Sequence, residues 1–230
     1  MSEQIRSMFA KLAPRYDATN NALSLGIHRF WRQKAVRLSG VKPGMSVLDC
    51  ATGTGDLAIE FKQKVGAGGR VVGTDFCAEM LELAPAKAVH KGLDVTFEIA
   101  DAMNLHYADN EFDIASISFG IRNVDSPPKC LEEMARVVRP GGKVVIVELG
   151  QPRGILSVMY KIYRKTIMPL LALLVTRNDH AFHYLLDTSA VFPSREKFID
   201  IMKQTGVFSE QRFYTLTLGV AYIYIGTVKK

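Results

Sequence analysis

Cysteine is scarce in this chain: three residues in 230, at positions 50, 77 and 130, an odd count without metal-ligand spacing. That argues against a disulfide framework and fits a reducing compartment, with the thiols read as small buried hydrophobes. No stretch reaches the roughly 20 apolar residues of a membrane-spanning helix. The opening Met1-Ser2-Glu3-Gln4-Ile5-Arg6 has no apolar core of a signal peptide, so a cytoplasmic protein is expected. Internal repeats, low-complexity tracts and flexible linkers are also missing, and no histidine, cysteine or carboxylate cluster is spaced for a metal. With 48% hydrophobic content the chain can bury one sizeable core, and one domain over 1–230 is the default. The formal charge of +6 admits nucleic acid or an anionic membrane as a neighbour. Its basic residues are scattered, however, gathering only at 29–37 and 161–165.

What is present centres on Val47-Leu48-Asp49-Cys50-Ala51-Thr52-Gly53-Thr54-Gly55-Asp56-Leu57-Ala58, a short apolar strand that enters a glycine turn and opens a helix. Gly53 and Gly55 remove the Cβ atoms that would block a tight turn and the approach of backbone N–H groups to a ligand. Asp75 follows a second strand about 20 residues on, where an acid accepts hydrogen bonds from ribose hydroxyls. Gly53-x-Gly55-x-x-Ala58 also satisfies the looser dinucleotide fingerprint. Asp49 decides between the two: an acid before the turn would face the amino group of S-adenosylmethionine and would repel a pyrophosphate.

The periodicity predicts α/β winding. Amphipathic helices cover 3–13 and the stretch ending at Ser39-Gly40, and both are expected to form a helical lid over 1–40. Strands follow at 46–50, 70–74, 94–99, 114–118 and 143–148, separated by helices at 56–65, 77–90 and 128–138. The strand at 143–148 is launched from the turn Arg139-Pro140-Gly141-Gly142. A helical insertion spans 151–192 with a very apolar run at 155–175. A helix near 194–204 then precedes strands at 209–217 and 219–228, joined by too short a link for a crossover and therefore antiparallel. The expectation is a Rossmann-like seven-stranded sheet of the class I methyltransferase kind, with the last strand antiparallel.

Several stretches make the chain resemble the ubiquinone/menaquinone biosynthesis C-methyltransferases over nearly its whole length. They are Ala13-Pro14-Arg15-Tyr16-Asp17, Gly26-Ile27-His28-Arg29-Phe30-Trp31-Arg32, Gly53-Thr54-Gly55-Asp56-Leu57 and, most specific, Ser118-Phe119-Gly120-Ile121-Arg122-Asn123-Val124. The resemblance implies S-adenosylmethionine as cofactor and a prenylated quinol as substrate. It places Thr54 at the glycine loop, Asp75 on the ribose, Asp101 and Ala102 at the adenine, and Ser118 after the fourth strand. The chain departs from the family at Ala51-Thr52, at Leu185-Leu186-Asp187-Thr188 and at Tyr224-Ile225-Gly226, and all three are expected to touch substrate recognition.

Carbon methylation needs a ring made nucleophilic by loss of a hydroxyl proton, and no metal. Arg122 is the candidate for holding the quinol oxygen, against an ion pair with Asp125 or Asp113. For the proton acceptor the candidates are Asp187, Tyr16, His183 and Tyr184, with Arg122, Asp187 and Tyr16 taken as the catalytic set. Transient contact with an anionic membrane surface is expected through 155–175, at the inner face of the cell membrane, with no nucleic acid as partner; a homodimer stays open. The alternatives are a methyltransferase of another small aromatic compound, a nicotinamide-dependent oxidoreductase and a non-catalytic cofactor-binding partner.

Overall fold

Val47 to Cys50, Val71 to Asp75 and Phe112 to Ile117 are buried without a break, as strands covered by helices on both faces must be. The computed structural model describes residues 3–154, 157–158, 160, 162–163, 166 and 180–230. Among these, seven strands form one sheet: β1 (Ser46–Cys50), β2 (Arg70–Asp75), β3 (Thr96–Ile99), β4 (Phe112–Ser118), β5 (Val138–Leu149), β6 (Phe208–Leu216) and β7 (Ala221–Val228). Their order is β3-β2-β1-β4-β5-β7-β6. All pairs through β5 are parallel, and β7 runs antiparallel to both β5 and β6. The order reverses between β1 and β4, so the crevice for a ligand opens beyond the carboxyl ends of those two strands.

Alternate residues of each strand feed separate cores. Leu48, Val72, Ala115 and Ile146 pack with Leu131 and Met134 of α7 (Pro127–Arg136) and Phe198 of α9 (Glu196–Gln204) on one face. Val47, Val71, Ile114 and Val145 pack on the other with Leu57 and Phe61 of α4 (Asp56–Val65). The side chains of Leu57 and Phe61 contribute about 1.5–3 kcal/mol each by burial. Trp31, Ala35 and Val36 of α3 (Ile27–Leu38) join that second core. This helix therefore packs into the sheet layer while its first turns also border the crevice, over which α1 (Glu3–Leu12) and α2 (Tyr16–Ser24) stand.

Four local readings change. The helix expected over 77–90 is two short helices, α5 (Ala78–Leu81) and α6 (Ala84–His90). Pro85 lacks an N–H and its ring would meet the Leu81 carbonyl, so the first helix stops there. A short helical turn at Ala13–Arg15, with Pro14 near its start, leads into α2, a helix that the periodicity does not predict. The turn at 139–142 is a loop within β5, inserted between the pairs Phe112–Val138 and Ile114–Lys143; Gly141 takes φ +80° there. Tyr224 is buried against Phe198, ring centroids 4.5 Å apart. A Cβ at Gly226 would lie 2.6 Å from Phe208. The departure at 224–226 is thus a matter of core packing and does not reach a ligand cavity. Most of 155–175, with its expected membrane entrance, lies outside the described residues, as do the side chains of α8 (His180–Val191) at 180–183, including His183.

Candidate active site

The crevice holds two cavities that share walls. The smaller, about 50 Å³, lies among Gly53, Asp75, Asp101, Ala102 and Ser118 and is closed over by Phe9, Tyr16 and Met80. The larger, about 680 Å³, is bounded by Asp49, Thr54, Ser118, Arg122 and Trp31 and by the apolar side chains of α1–α3. Phe9, Tyr16, Ala51, Ser118 and Phe119 line both.

The chain leaves β1 and β4 through strained backbone. Ala51 has φ 47° and Phe119 has φ 58°, left-handed conformations unusual for side-chain-bearing residues. They lie close together: a Cβ at Gly120 would fall 2.5 Å from that of Ala51, so glycine is required there. At Gly53 the added Cβ would meet Met80 at 3.2 Å, inside the smaller cavity's wall. At Gly55 it would meet Phe97 and Ala84 at 2.9–3.0 Å. The second glycine therefore serves helix-to-sheet packing and a φ of +82°, and it lines neither cavity.

Each acid after a strand has a defined set of donors. The two oxygens of buried Asp49 accept hydrogen bonds from the Thr52 hydroxyl (2.6 Å) and the Ser116 hydroxyl (2.7 Å). Burial nonetheless pushes its carboxyl up to about 6. The Gly53 N–H (2.8 Å) and Cys77 N–H (2.9 Å) donate to separate oxygens of Asp75, so this carboxylate also braces the glycine turn. Burial raises the Asp75 carboxyl while those amides oppose the rise. The Met103 N–H donates to Asp101 at 2.9 Å, forming an Asx turn that leaves Asp101 in the wall of the smaller cavity. The Ser118 hydroxyl is buried without a hydrogen-bond partner among the described residues. A hydroxyl left in that condition calls for a ligand or water.

Thr54 is tied into a charged network that its motif did not announce. Its hydroxyl donates to Asp17 of α2 at 2.7 Å, and Lys87 donates to Asp17 (2.7 Å), to Thr54 (2.9 Å) and to Asp56 (2.5 Å). Arg32 closes the chain on Asp56 at 2.6 Å. Although burial works against it, Arg32 and Lys87 hold the Asp56 carboxyl below the usual carboxylate range. The covering helix α2 is thereby fastened to the glycine turn.

Arg122 lies in the wall of the larger cavity, but its ion pair is with Glu148 of β5, at 2.8 Å, and with neither Asp125 nor Asp113. The two side chains are only 5% and 1% exposed. The same Arg122 Nη1 donates to the Phe119 carbonyl at 2.5 Å, while Nε has no partner among the described residues. Asp113 instead pairs with Arg139 and accepts the Ser46 N–H at 2.7 Å. Tyr184 donates to Asn123 at 2.9 Å. Burial raises the phenols of both Tyr16 and Tyr184, so at neutral pH they are donors. Asp187 is exposed on α8 and lines neither cavity. The sequence assigns no site role to Glu148, nor to Asp17, although Asp17 closes the quoted stretch Ala13-Pro14-Arg15-Tyr16-Asp17. An acid closing the apolar run Val144 to Val147, and one ending the stretch Ala13–Asp17, are the signals for these roles.

Strand order, a lone reversed β7 and acids at the carboxyl ends of β1 and β2 and just past β3 are together the marks of a class I S-adenosylmethionine-dependent methyltransferase. The fold is shared with a solved possible histamine N-methyltransferase from Thermotoga maritima (TM-score 0.66, 19% identity, 96% of this chain and 98% of that one). It is shared too with the S-adenosyl-L-methionine complex of Haemonchus contortus phosphoethanolamine N-methyltransferase 2 (TM-score 0.65, 18% identity, 96% and 60%). The chain belongs to the ubiE/COQ5 methyltransferase family, whose sequence model matches residues 1–228. It is 58% identical over 228 residues to the ubiquinone/menaquinone biosynthesis C-methyltransferase UbiE of Bdellovibrio bacteriovorus, covering 99% of this chain and 97% of that protein. Against the demethylmenaquinone methyltransferase of Thermus thermophilus the identity is 41% over 220 residues, 95% of this chain and 99% of that protein. The protein is an S-adenosylmethionine-dependent C-methyltransferase. No helix among the described residues is long and apolar enough to cross a membrane.

Proposed function

We propose that this enzyme methylates a ring carbon of a prenylated quinol in respiratory quinone biosynthesis. The observation that carries the reading is the larger cavity: about 680 Å³, walled mainly by apolar side chains, with two buried guanidiniums in its lining, Arg32 paired with Asp56 and Arg122 paired with Glu148, and walls shared with the cofactor site. The relatives named above supply the substrate class.

The donor set fits the cofactor. Asp75 faces the ribose hydroxyls, Asp101 and the Ala102 N–H the adenine edge, Ser118 supplies a free hydroxyl, and Asp49 the charge opposite the amino group. Thr54 and the turn at Gly53 border the same end. Room for the nucleoside is made when Phe9, Tyr16 and Met80 draw back, and residues 3–24 serve as the lid over it. When bound, the cofactor supplies a sulfonium-activated methyl group as the electrophile.

The chain's own work is alignment and charge control. Arg122, fixed by Glu148 and the Phe119 carbonyl, offers its remaining N–H groups to the quinol oxygen and stabilises the phenolate as the hydroxyl proton leaves. That charge makes the adjacent ring carbon nucleophilic. Tyr16 donates a hydrogen bond between the two cavities, and the apolar wall excludes water from the methyl group. The hydroxyl proton passes to water at the cavity mouth, since Asp187 is not in the cavity lining and Tyr16 keeps its own proton; after methyl transfer the ring proton leaves by the same route while the quinol oxygen is reprotonated, so the quinol is restored with a net release of one proton.

Incubation with S-adenosylmethionine and demethylated benzoquinol or naphthoquinol substrates, followed by mass measurement, tests the reading. A gain of one methyl group on a ring carbon is expected. Arg122→Lys keeps the charge but loses the planar fork, and should lower kcat with little change in cofactor affinity. Unaltered turnover in that variant would remove Arg122 from the chemistry.

A further inference from the structure

The corner between α2 and α3, together with the turn before β7, forms an exposed apolar and basic face beside the opening of the larger cavity. Leu25 closes α2 in a left-handed conformation, φ 50°, and is 75% exposed. Leu218 repeats the pattern in the β6–β7 turn, with φ 56° and 68% exposure. Phe30, on the outward side of α3, is 57% exposed. Two leucines held in strained backbone and turned to solvent are unusual, because neither strain nor exposure favours the folded chain. The three sites belong together: the Trp31 indole N–H donates to Thr217 at 2.8 Å, joining Phe30's neighbour to Leu218's neighbour. Leu25, Ile27, Arg29, Thr217 and Val220 all line the larger cavity, which puts this face at its mouth.

Charge selects the occupant. Helix α3 carries Arg29, Arg32, Lys34 and Arg37 and no acid. Arg32 turns inward to Asp56, whereas Arg29 and Arg37 are exposed and Lys34 is half-buried. Among the described residues no carboxylate forms an ion pair with those three outer cations. Spacing of i, i+4 and i+8 aligns Arg29, Gln33 and Arg37, with Phe30 and Lys34 beside them. We propose that this face docks on an anionic phospholipid bilayer. Leu25, Phe30 and Leu218 enter the acyl boundary, while Arg29, Lys34 and Arg37 meet the headgroups. A prenylated substrate then moves from the bilayer into the cavity without crossing water. Phe30 is the one exposed aromatic of the face and its apolar partners Leu25 and Leu218 offer no stacking surface for bases, so the face suits acyl chains better than a run of RNA bases. The purpose of the face rests on the prenylated-quinol reading, whereas its binding is measured without any quinol.

The test is co-sedimentation of the full chain with vesicles of phosphatidylglycerol and phosphatidylcholine, against phosphatidylcholine alone. Binding to the anionic vesicles is expected, weakening with added salt. Lys34→Gln with Arg37→Gln should lower partitioning about twenty-fivefold, about fivefold per charge. Phe30→Ser with Leu218→Ser should abolish it. All four residues lie outside the cavity lining, so methylation of a short-tailed, water-soluble quinol should be unchanged while that of a long-tailed quinol in vesicles falls. A wild type that ignores anionic vesicles at low salt, or a Phe30→Ser/Leu218→Ser protein that binds them normally, would overturn the proposal. So would retardation by a homopolymeric RNA that responds to the two glutamines while vesicle binding does not. Vesicle binding without methylation of either quinol would leave the docking face standing and sink the substrate reading instead.

Discussion

The acids after β1 and β2 and the guanidinium after β4 face the same crevice, yet they are held by different kinds of contact. Asp75 is fixed by main-chain N–H groups two residues ahead and 22 behind, and Asp49 by hydroxyls three and 67 residues away. These partners lie in β4 or in the turns immediately after β1 and β2, whose strands the sheet already sets in register. Arg122, by contrast, depends on one carboxylate of a neighbouring strand and one carbonyl, and half of its cavity's lining is contributed by residues 8–32, outside the sheet. The cofactor side is a property of the sheet; the substrate side is an assembly. Changes to the first should therefore appear in cofactor affinity, and changes to the second in stability and turnover.

The sharpest way to break that division is Glu148→Ala. It leaves a buried guanidinium without its carboxylate, and stability should fall by about 3–5 kcal/mol in urea titration. Cofactor affinity of the folded fraction should hold. A loss below about 1 kcal/mol would mean that the pair behaves like a solvated one. Next comes Asp75→Ala, which removes the brace of the glycine turn along with the ribose acceptor. Calorimetry should show cofactor binding weaker by about 2–4 kcal/mol. Unchanged affinity would detach Asp75 from the ribose.

Asp49 sharpens the comparison through pH. Its carboxyl sits near 6, above the ordinary 3.8, so the folded chain keeps this proton longer than the unfolded one. The stabilising contribution is full below 3.8 and is lost as pH rises through about 6. A cationic ligand opposite Asp49 favours the anion. Cofactor affinity should therefore fall as pH drops through that range, and binding near pH 6 should release protons, detectable by calorimetry in buffers of different ionisation heat. Asp49→Asn should abolish both effects; proton release that persists would place the titrating group elsewhere. The smallest effect belongs to Asp17→Asn, whose partly exposed bond to Lys87 is worth under about 1 kcal/mol. Faster amide exchange in α2, with β1 and β2 unaffected, would be its signature. Equal loosening of the strands would show the covering helix and sheet to be one unit.

This contrast also explains what the sequence discloses. Acids after successive apolar strands are a local pattern, and Asp49, Asp75 and Asp101 fall where strand ends must bring them. The lone reversed β7 is readable for the same reason, because a short link leaves only a hairpin. Glu148 and Arg122 are 26 residues apart and meet only through the pairing of β4 with β5. Lys87 reaches Asp17 across 70 residues. No periodicity records such meetings, so the partner assigned to Arg122 from nearby residues was Asp113 or Asp125. Asp187 was drawn in by its motif, whose position on α8 does not determine which way the carboxylate turns.

Five residues, Phe9, Tyr16, Ala51, Ser118 and Phe119, belong to both cavities, and a shared wall makes the two ligands thermodynamically accountable to each other. If cofactor entry draws Phe9 and Tyr16 out of the smaller cavity, it reshapes the larger one. Linkage then requires the quinol to change cofactor affinity by the same factor that the cofactor changes quinol affinity. Binding order and product release in this enzyme are in that sense written into two aromatic rings of its first 16 residues.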